Sequence, residues 1–432
     1  MTDTGLTARR LVFLYVSSVL GAGILVVPGL TVQHAGSAAV ALWVVLGVAC
    51  VAIAGLFADV STHFPRASGI QEVVEAGTGR PLAIYSDVVL LVVYLVGNPA
   101  MGLASASYLA MITGSTALTT APVQAAVAAG FMVVSVLASI LPTRVIGAVQ
   151  AWSMRVAVVV ILLASALAVP RLEWENVTAR EPPGSAGLVT AAGIAFYAYL
   201  GWENVSLLAG RVHDPQRAFR YAIRRAVPVV VVVYFVAAIT FAALPPGGPA
   251  LLVPALTAAL PDAVRVPLVA VSLVAIVAAT NAWVLGGASL FQHAATRLSP
   301  SWSTRDPRGL VPRGVLTVGY LVVLAGAGAG AFSMDHLLGW TSCLFLTVYG
   351  LAAYAFTRVR RRLTLAAATV LLLAAVMLLL ERPVGLVLAI VTVIAVIAER
   401  YRHARTLHPD HPGRPDDRPE RVRDDVPTRL PR

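Results

Sequence analysis

The sequence predicts an all-α polytopic membrane protein of about twelve transmembrane helices. Three observations predict it: the composition, the length of the apolar runs, and the way arginine is shared out between them. Hydrophobic residues fill 58% of the 432 positions and charged residues only 12%, with a mean hydropathy of +0.81. A soluble domain carries about a quarter of its residues charged, so this chain cannot cover a water-facing surface and is built for lipid. Crossing the hydrocarbon takes about 20 apolar residues. Twelve runs qualify, near 11–33, 37–58, 82–112, 122–141, 147–169, 188–209, 226–244, 266–290, 314–331, 338–356, 363–380 and 384–398.

Arginine orients them. All 32 basic residues are arginine and the formal net charge is +11; the absence of lysine fits a GC-rich bacterial genome. In a soluble chain such a balance would suggest nucleic acid, but here the arginines sit in short connections and set topology. One set of alternate loops holds Arg9, Arg10, Arg66, Arg80, Arg144, the run from Arg211 to Arg225, the run from Arg297 to Arg313 and the run from Arg358 to Arg362. The other set holds Arg171, Arg180, Arg265 and Arg382. Positive charge stays inside, so a bacterial cytoplasmic membrane with both termini cytoplasmic is expected, and an even number of spans agrees. The first run follows Arg9 and Arg10 as a signal peptide would, but it is long, contains Pro28 and lacks a small-residue cleavage site, so it reads as a retained span. Cys50 and Cys343 lie inside apolar runs as small buried side chains.

Two external segments stand out. Residues 170–187 are polar and rich in turn formers. Residues 245–265 enclose an apolar run, Leu251–Leu260, too short to cross; it reads equally as a re-entrant or lid helix and as an ordinary loop. The tail from 399 to 432 is rich in Arg, Asp and Pro without apolar period, and reads as disordered cytoplasmic polymer.

The informative places are those where the helical pattern is interrupted inside a span. A bare peptide group in hydrocarbon costs several kcal/mol, so unwound helix survives only where it lines a cavity. Span 1 reads SSVLGAGILVVPGL, with Gly21, Ala22 and Gly23 ahead of Ile24. Span 6 reads AAGIAFYAYLGWENVSLLAG, with Tyr197, Tyr199, Leu200 and Gly201 ahead of Glu203. One reading is a pair of discontinuous helices that meet near the midplane. N–H groups freed at Gly21–Gly23, at the positive end of a half-helix, suit a carboxylate, and carbonyls freed around Tyr199–Gly201 suit an ammonium. Together they fit an α-amino acid zwitterion. The other reading is that small residues let helices pack closely. The breaks fall in spans 1 and 6, equivalent positions if spans 1–5 and 6–10 are repeats.

Ionisable groups within the hydrocarbon are functional candidates by default. Glu203 reads either as a proton carrier or as a hydrogen-bonding prop for the unwound segment. Arg155, a turn or two into span 5, either reaches back to the cytoplasmic surface or points inward as a fixed cation. Asn281 and Thr280 in span 8 either line a pathway or join helices. Asp87 reads as interfacial. The sequence has no P-loop, no HExxH and no Cys/His cluster at metal-ligand spacing, so neither cofactor nor metal is expected. A membrane-embedded enzyme would need convergent acids and histidines; His63, Asp59, Glu72 and Glu75 in the first cytoplasmic loop are the only such group, and they read as a solvated helix. A nutrient sensor would need a signalling domain, which the sequence lacks.

Four stretches, GAGILVVPG at 21–29, FPRASGIQEVVEAGTG at 64–79, FYAYLGWE at 196–203 and HDPQRAFRYAI at 213–223, resemble in order and spacing the amino acid–polyamine–organocation superfamily of secondary transporters. Within it the chain is most similar to bacterial neutral amino acid exporters that handle methionine and branched-chain amino acids. The resemblance implies a leucine-transporter-like fold: a five-plus-five inverted repeat over 11–169 and 188–356, after a cytoplasmic N-terminus at 1–10, with two further helices over 363–398. It implies that Gly21, Ala22 and Gly23 hold a substrate carboxylate, that Tyr199, Leu200 and Gly201 hold its ammonium, and that Tyr197 gates. The implied partners are a small amino acid, the lipid bilayer, and a proton or counter-substrate. Two family features are absent: an acidic pair after span 6, where Ala209-Gly210-Arg211 stands, and a span-5 lysine that takes the place of sodium. Their roles do not carry over.

Overall fold

The computed structural model describes residues 7–21, 23–64, 69–141, 143–181, 184–206, 212, 214–298, 306, 309–360, 363–379 and 381–407. Helix α1 (Ala8–Leu20) is followed after one break by α2 (Gly23–Ala35), and a 3-10 turn, Gly36–Ala38, leads into α3 (Ala39–His63). The short α4 (Ile70–Thr78) precedes three long helices, α5 (Arg80–Thr113), α6 (Ala121–Ala138) and α7 (Thr143–Ala168). A single turn, α8 (Asn176–Ala179), lies ahead of a second broken pair, α9 (Ser185–Tyr197) and α10 (Trp202–Ser206). Then come α11 (Pro215–Ala242), the short α12 (Leu252–Thr257), α13 (Asp262–Leu298), α14 (Leu310–Gly328), α15 (Met334–Val359), α16 (Leu363–Leu379) and α17 (Arg382–Leu407).

Nine helical stretches among the described residues are long and apolar enough to cross a membrane, so the protein is an all-helical, polytopic membrane protein. The residues 23–63 enter that number once although the chain reverses within them. Gly23, at the start of α2, lies against the Tyr234 hydroxyl, and Trp43, beyond the turn on α3, stacks on the same tyrosine with ring centroids 5.1 Å apart. The outer surface is correspondingly apolar: Val48, Val322 and Leu371 are each about two-thirds exposed, which lipid rewards and water would not.

Two expectations change and one pair of alternatives is decided. Helices α5 and α13 overshoot their apolar runs at both ends, because a backbone already hydrogen-bonded within a helix gains nothing by unwinding at the headgroup level. For the same reason α17 starts at Arg382 and continues to Leu407, so the tail does not begin at 399; residues 408–432 lie outside the described residues. The apolar run within 245–265 is in part a helix, α12, and all six of its residues are buried. Cys50 and Cys343 are free and buried.

Packing places the two broken elements side by side. α2 lies along α9 and α1 along α10, while α11 backs both α1 and α2. Around them α5 packs on α13 and α15, α13 packs on α7, and α6 packs on α14. The interruptions in α1/α2 and α9/α10 therefore face each other inside a frame of unbroken helices.

Candidate functional site

Each break has a local cause. Gly21 closes α1 with φ +35° and Gly201 follows α9 with φ +109°, a region of backbone space that side chains disfavour and glycine enters freely. Gly201 is also in close approach: a Cβ there would sit 2.8 Å from the Ser18 carbonyl oxygen. Backbone groups released at the breaks are taken up by side chains from distant parts of the chain, as hydrocarbon demands. The Tyr234 hydroxyl donates toward the carbonyls of Val19 and Leu20, at 3.1 and 3.3 Å. Ser18 donates its hydroxyl to the Gly201 carbonyl at 2.8 Å. The Gly201 N–H donates to the Glu203 carboxylate at 3.2 Å, and the Tyr349 hydroxyl donates to the same carboxylate oxygen. The carbonyl of Leu25 in α2 accepts from Tyr108 at 2.7 Å.

Between the breaks lies a cavity of about 410 Å³, within the size range of small-molecule sites. Gly21, Gly23, Tyr197, Leu200, Gly201 and Glu203 line it, so it brings residues from both interrupted spans together. Tyr197 stacks on Trp283 with centroids 5.6 Å apart, and Trp283 meets Phe345 edge-on, forming an aromatic wall. Glu203 is the one charged residue on the described lining, and it is 7% exposed.

Other sequence candidates lie elsewhere. Ile24 is fully buried in the packing of α2. Tyr199 turns away from the cavity and packs between Trp43 and Tyr234. Arg155 is exposed, its guanidinium 5.2 Å from the centre of the Phe13 ring. Asn281 donates to the Ser135 carbonyl at 2.7 Å and joins α13 to α6, while its neighbour Thr280 does line the cavity. Ala22 lies outside the described residues, as do 207–211. Gly286 and Gly287 make room for Tyr94, whose hydroxyl a Cβ at Gly286 would approach to 2.9 Å.

Sequence reasoning missed Ser17, Ser18, Tyr94, Asn98 and Trp283 on the lining, and the two tyrosines that hold the breaks. Asn98 gives its amide N–H to Tyr320 at 2.8 Å and leaves its buried carbonyl oxygen unpartnered; the Ser17 hydroxyl is likewise buried without a partner. A signal for Asn98 existed: Gly97-Asn98-Pro99 interrupts an otherwise apolar span.

The cavity extends along Phe13, Leu14 and Ser17 toward the start of α1. The opposite end is closed by chain. The Cα of Gly29 is so near the Ala250 carbonyl that a Cβ would lie 2.1 Å from its oxygen. Arg171 donates to the carbonyls of Ala255 and Leu256 in and around α12, and Arg180 to those of Ala242 and Leu244. His34 Nε2, at the end of α2, lies 2.9 Å from Asp335 Oδ2 at the start of α15. Among the described residues no group of His, Cys, Asp or Glu is arranged to hold a metal ion.

Residues 6–399 match the profile of the family described as Amino acid permease. The chain is 26% identical over 207 residues to the Bacillus subtilis amino acid permease YecA, covering 47% of each chain. It is 25% identical over 255 residues to the methylthioribose transporter of the same organism, covering 56% of this chain and 55% of that protein. It is 24% identical over 256 residues to cationic amino acid transporter 1 of Arabidopsis thaliana, covering 56% of this chain and 42% of that one. These matches span about half the length of each relative or less.

Proposed function

Since this chain belongs to the amino acid permease family, we propose that it is a secondary active transporter that moves small neutral, mainly hydrophobic L-amino acids by alternating access, in the direction of export. The observation that carries the reading is the cavity held between two helix breaks. Its polar groups lie at the breaks and at Ser17, Tyr94, Asn98, Ser153, Asn204 and Thr280, and its apolar wall includes Met101, Tyr197, Leu200, Trp283 and Phe345. In this reading the zwitterion's two charges are held at the two breaks and its side chain lies on the apolar surface. The cationic and sugar-derived substrates that name some relatives fit less well. A cationic side chain would need a free carboxylate, and Glu203 already accepts from Tyr349 and Gly201. The export direction rests on the likeness to neutral amino acid exporters.

The packing supports a five-plus-five repeat. Taking the passes as α1/α2, α3, α5, α6 and α7, then α9/α10, α11, α13, α14 and α15, with α16 and α17 added, gives twelve. Exchanging each pass for its counterpart maps the contact of α7 with α13 onto that of α15 with α5. It also maps α6 with α13 onto α14 with α5. The two short helices obey the same exchange: α4 packs on α15 and α5, α12 on α7 and α13. With the arginine-rich loops inside, the conformation is open to the cytoplasm and sealed outside, and the coupling partner is a proton or counter-substrate.

Proteoliposomes loaded with labelled leucine, methionine, arginine, lysine or methylthioribose, with and without proton and sodium gradients, test this directly. Saturable flux of leucine or methionine, abolished in Gly201→Val protein of normal elution profile, is the expected result. Flux confined to arginine and lysine would overturn the substrate class. Normal flux in Gly201→Val would overturn the site.

A further inference from the structure

A second cavity, about 440 Å³, opens between α3 and α11 at the arginine-rich end of the molecule, away from the substrate cavity. Arg220 and Arg224 of α11 line it together with Arg360, just past α15. The arginines of α11 are not alike. Arg217 pairs with Asp214, and the Arg225 guanidinium lies 3.7 Å from the centre of the Tyr221 ring. Arg220 and Arg224 have no described ion-pair partner, and they stand one turn apart on the same face. Like charges at that spacing repel and destabilise a helix, unless an anion lies between them. Against the three guanidiniums the lining offers one carboxylate, Asp59.

Thr62, His63 and Gln216 also line it, and the α3 side beyond them is apolar. Val51, Ala52 and Gly55 of α3 form one wall, and a Cβ added at Gly55 would meet nothing within 4 Å. From Val51 the wall continues along α3 through Val48 and Val44, which at 56%, 68% and 49% exposed form a lipid-facing stripe. The three guanidiniums thus stand at the head of an apolar trough, and a free inorganic anion has no use for the trough. Basic pockets between transmembrane helices suit anionic lipid headgroups, and guanidinium is the side chain best matched to phosphate.

We propose that this groove is a binding site for an anionic phospholipid, with the phosphodiester held by Arg220, Arg224 and Arg360 and an acyl chain laid along Gly55, Val51 and Val48. The site makes no use of the substrate reading and stands or falls separately from it.

Native mass spectrometry of the purified full-length protein in detergent tests it, with phosphatidylglycerol, phosphatidylcholine or inorganic phosphate added in turn. Phosphatidylglycerol should be retained in preference to phosphatidylcholine, and Arg220→Gln/Arg224→Gln should hold it roughly ten- to thirty-fold more weakly, from the worth of two arginines near a lipid surface. Gly55→Phe, which fills the trough and leaves every charge in place, should weaken it too. Should the double variant prove unstable, Gly55→Phe alone carries the test. Equal retention of the two lipids, or retention unchanged in Gly55→Phe, would overturn the proposal. Thermal stabilisation by inorganic phosphate equal to that by phosphatidylglycerol would overturn it as well.

Discussion

At the scale of single residues, the site depends on a few groups that replace helical hydrogen bonds. Gly201 is the tightest. Its φ of +109° and the 2.8 Å that would separate a Cβ from the Ser18 carbonyl leave no room for alanine. Gly201→Ala should lower stability by about 1–3 kcal/mol, as expected for a side chain forced into a strained region, and should depress flux; a thermal melt in detergent beside a flux assay reads both. Tyr349→Phe removes a donor from the buried Glu203 carboxylate, a loss of about 1–3 kcal/mol. Glu203→Gln keeps an acceptor for Tyr349, so it separates the two roles of the acid: if Glu203 is a prop, flux and its pH profile survive the change, and a flattened profile would assign it to proton movement. Asn98→Ala should raise KM several-fold with little change in melting temperature, because Asn98 lines the cavity and its buried carbonyl oxygen has no partner among the described residues.

Among helices, the proposed alternating access requires the closed end of the cavity to open. His34 on the broken first element and Asp335 at the head of α15 join a half-helix to the surrounding frame. Cutting that link with Asp335→Asn should raise the reactivity of a cysteine placed at Ala250 toward an impermeant thiol reagent. Unaltered labelling would remove the pair from the seal. Asn281 gives the opposite kind of expectation. It ties α13 to α6 through the Ser135 carbonyl, so Asn281→Leu should lose about 0.6–2 kcal/mol of stability, the range for a hydrogen bond between transmembrane helices, with KM unchanged.

For the whole molecule, the arginine pattern and the packing symmetry bear on orientation. Both termini are expected on the arginine-rich side, so a fluorescent protein fused to either end should light up in the cytoplasm and alkaline phosphatase at the same points should be inactive. In the proposed reading the cavity opens to that side, and a carrier in this conformation presents its site to internal substrate first, as the proposed export requires.

Composition, run length and arginine spacing were enough to foretell a helical membrane protein, and Gly21 and Gly201 were legible as places where a span either breaks or packs closely, the two uses of glycine within an apolar span. These are local properties: each is written in a handful of consecutive residues. The partners of the breaks are not. Tyr234 reaches the end of α1 across more than two hundred positions and Tyr349 reaches Glu203 across 146, and a tyrosine in an apolar helix looks the same whether it bonds a carbonyl or fills space. Tyr199 shows the converse, since its place beside Gly201 in the chain suggested the cavity while its side chain packs on Trp43 and Tyr234. Which face of a helix meets the cavity depends on how neighbouring helices are seated against it, and that is a property of the assembled bundle.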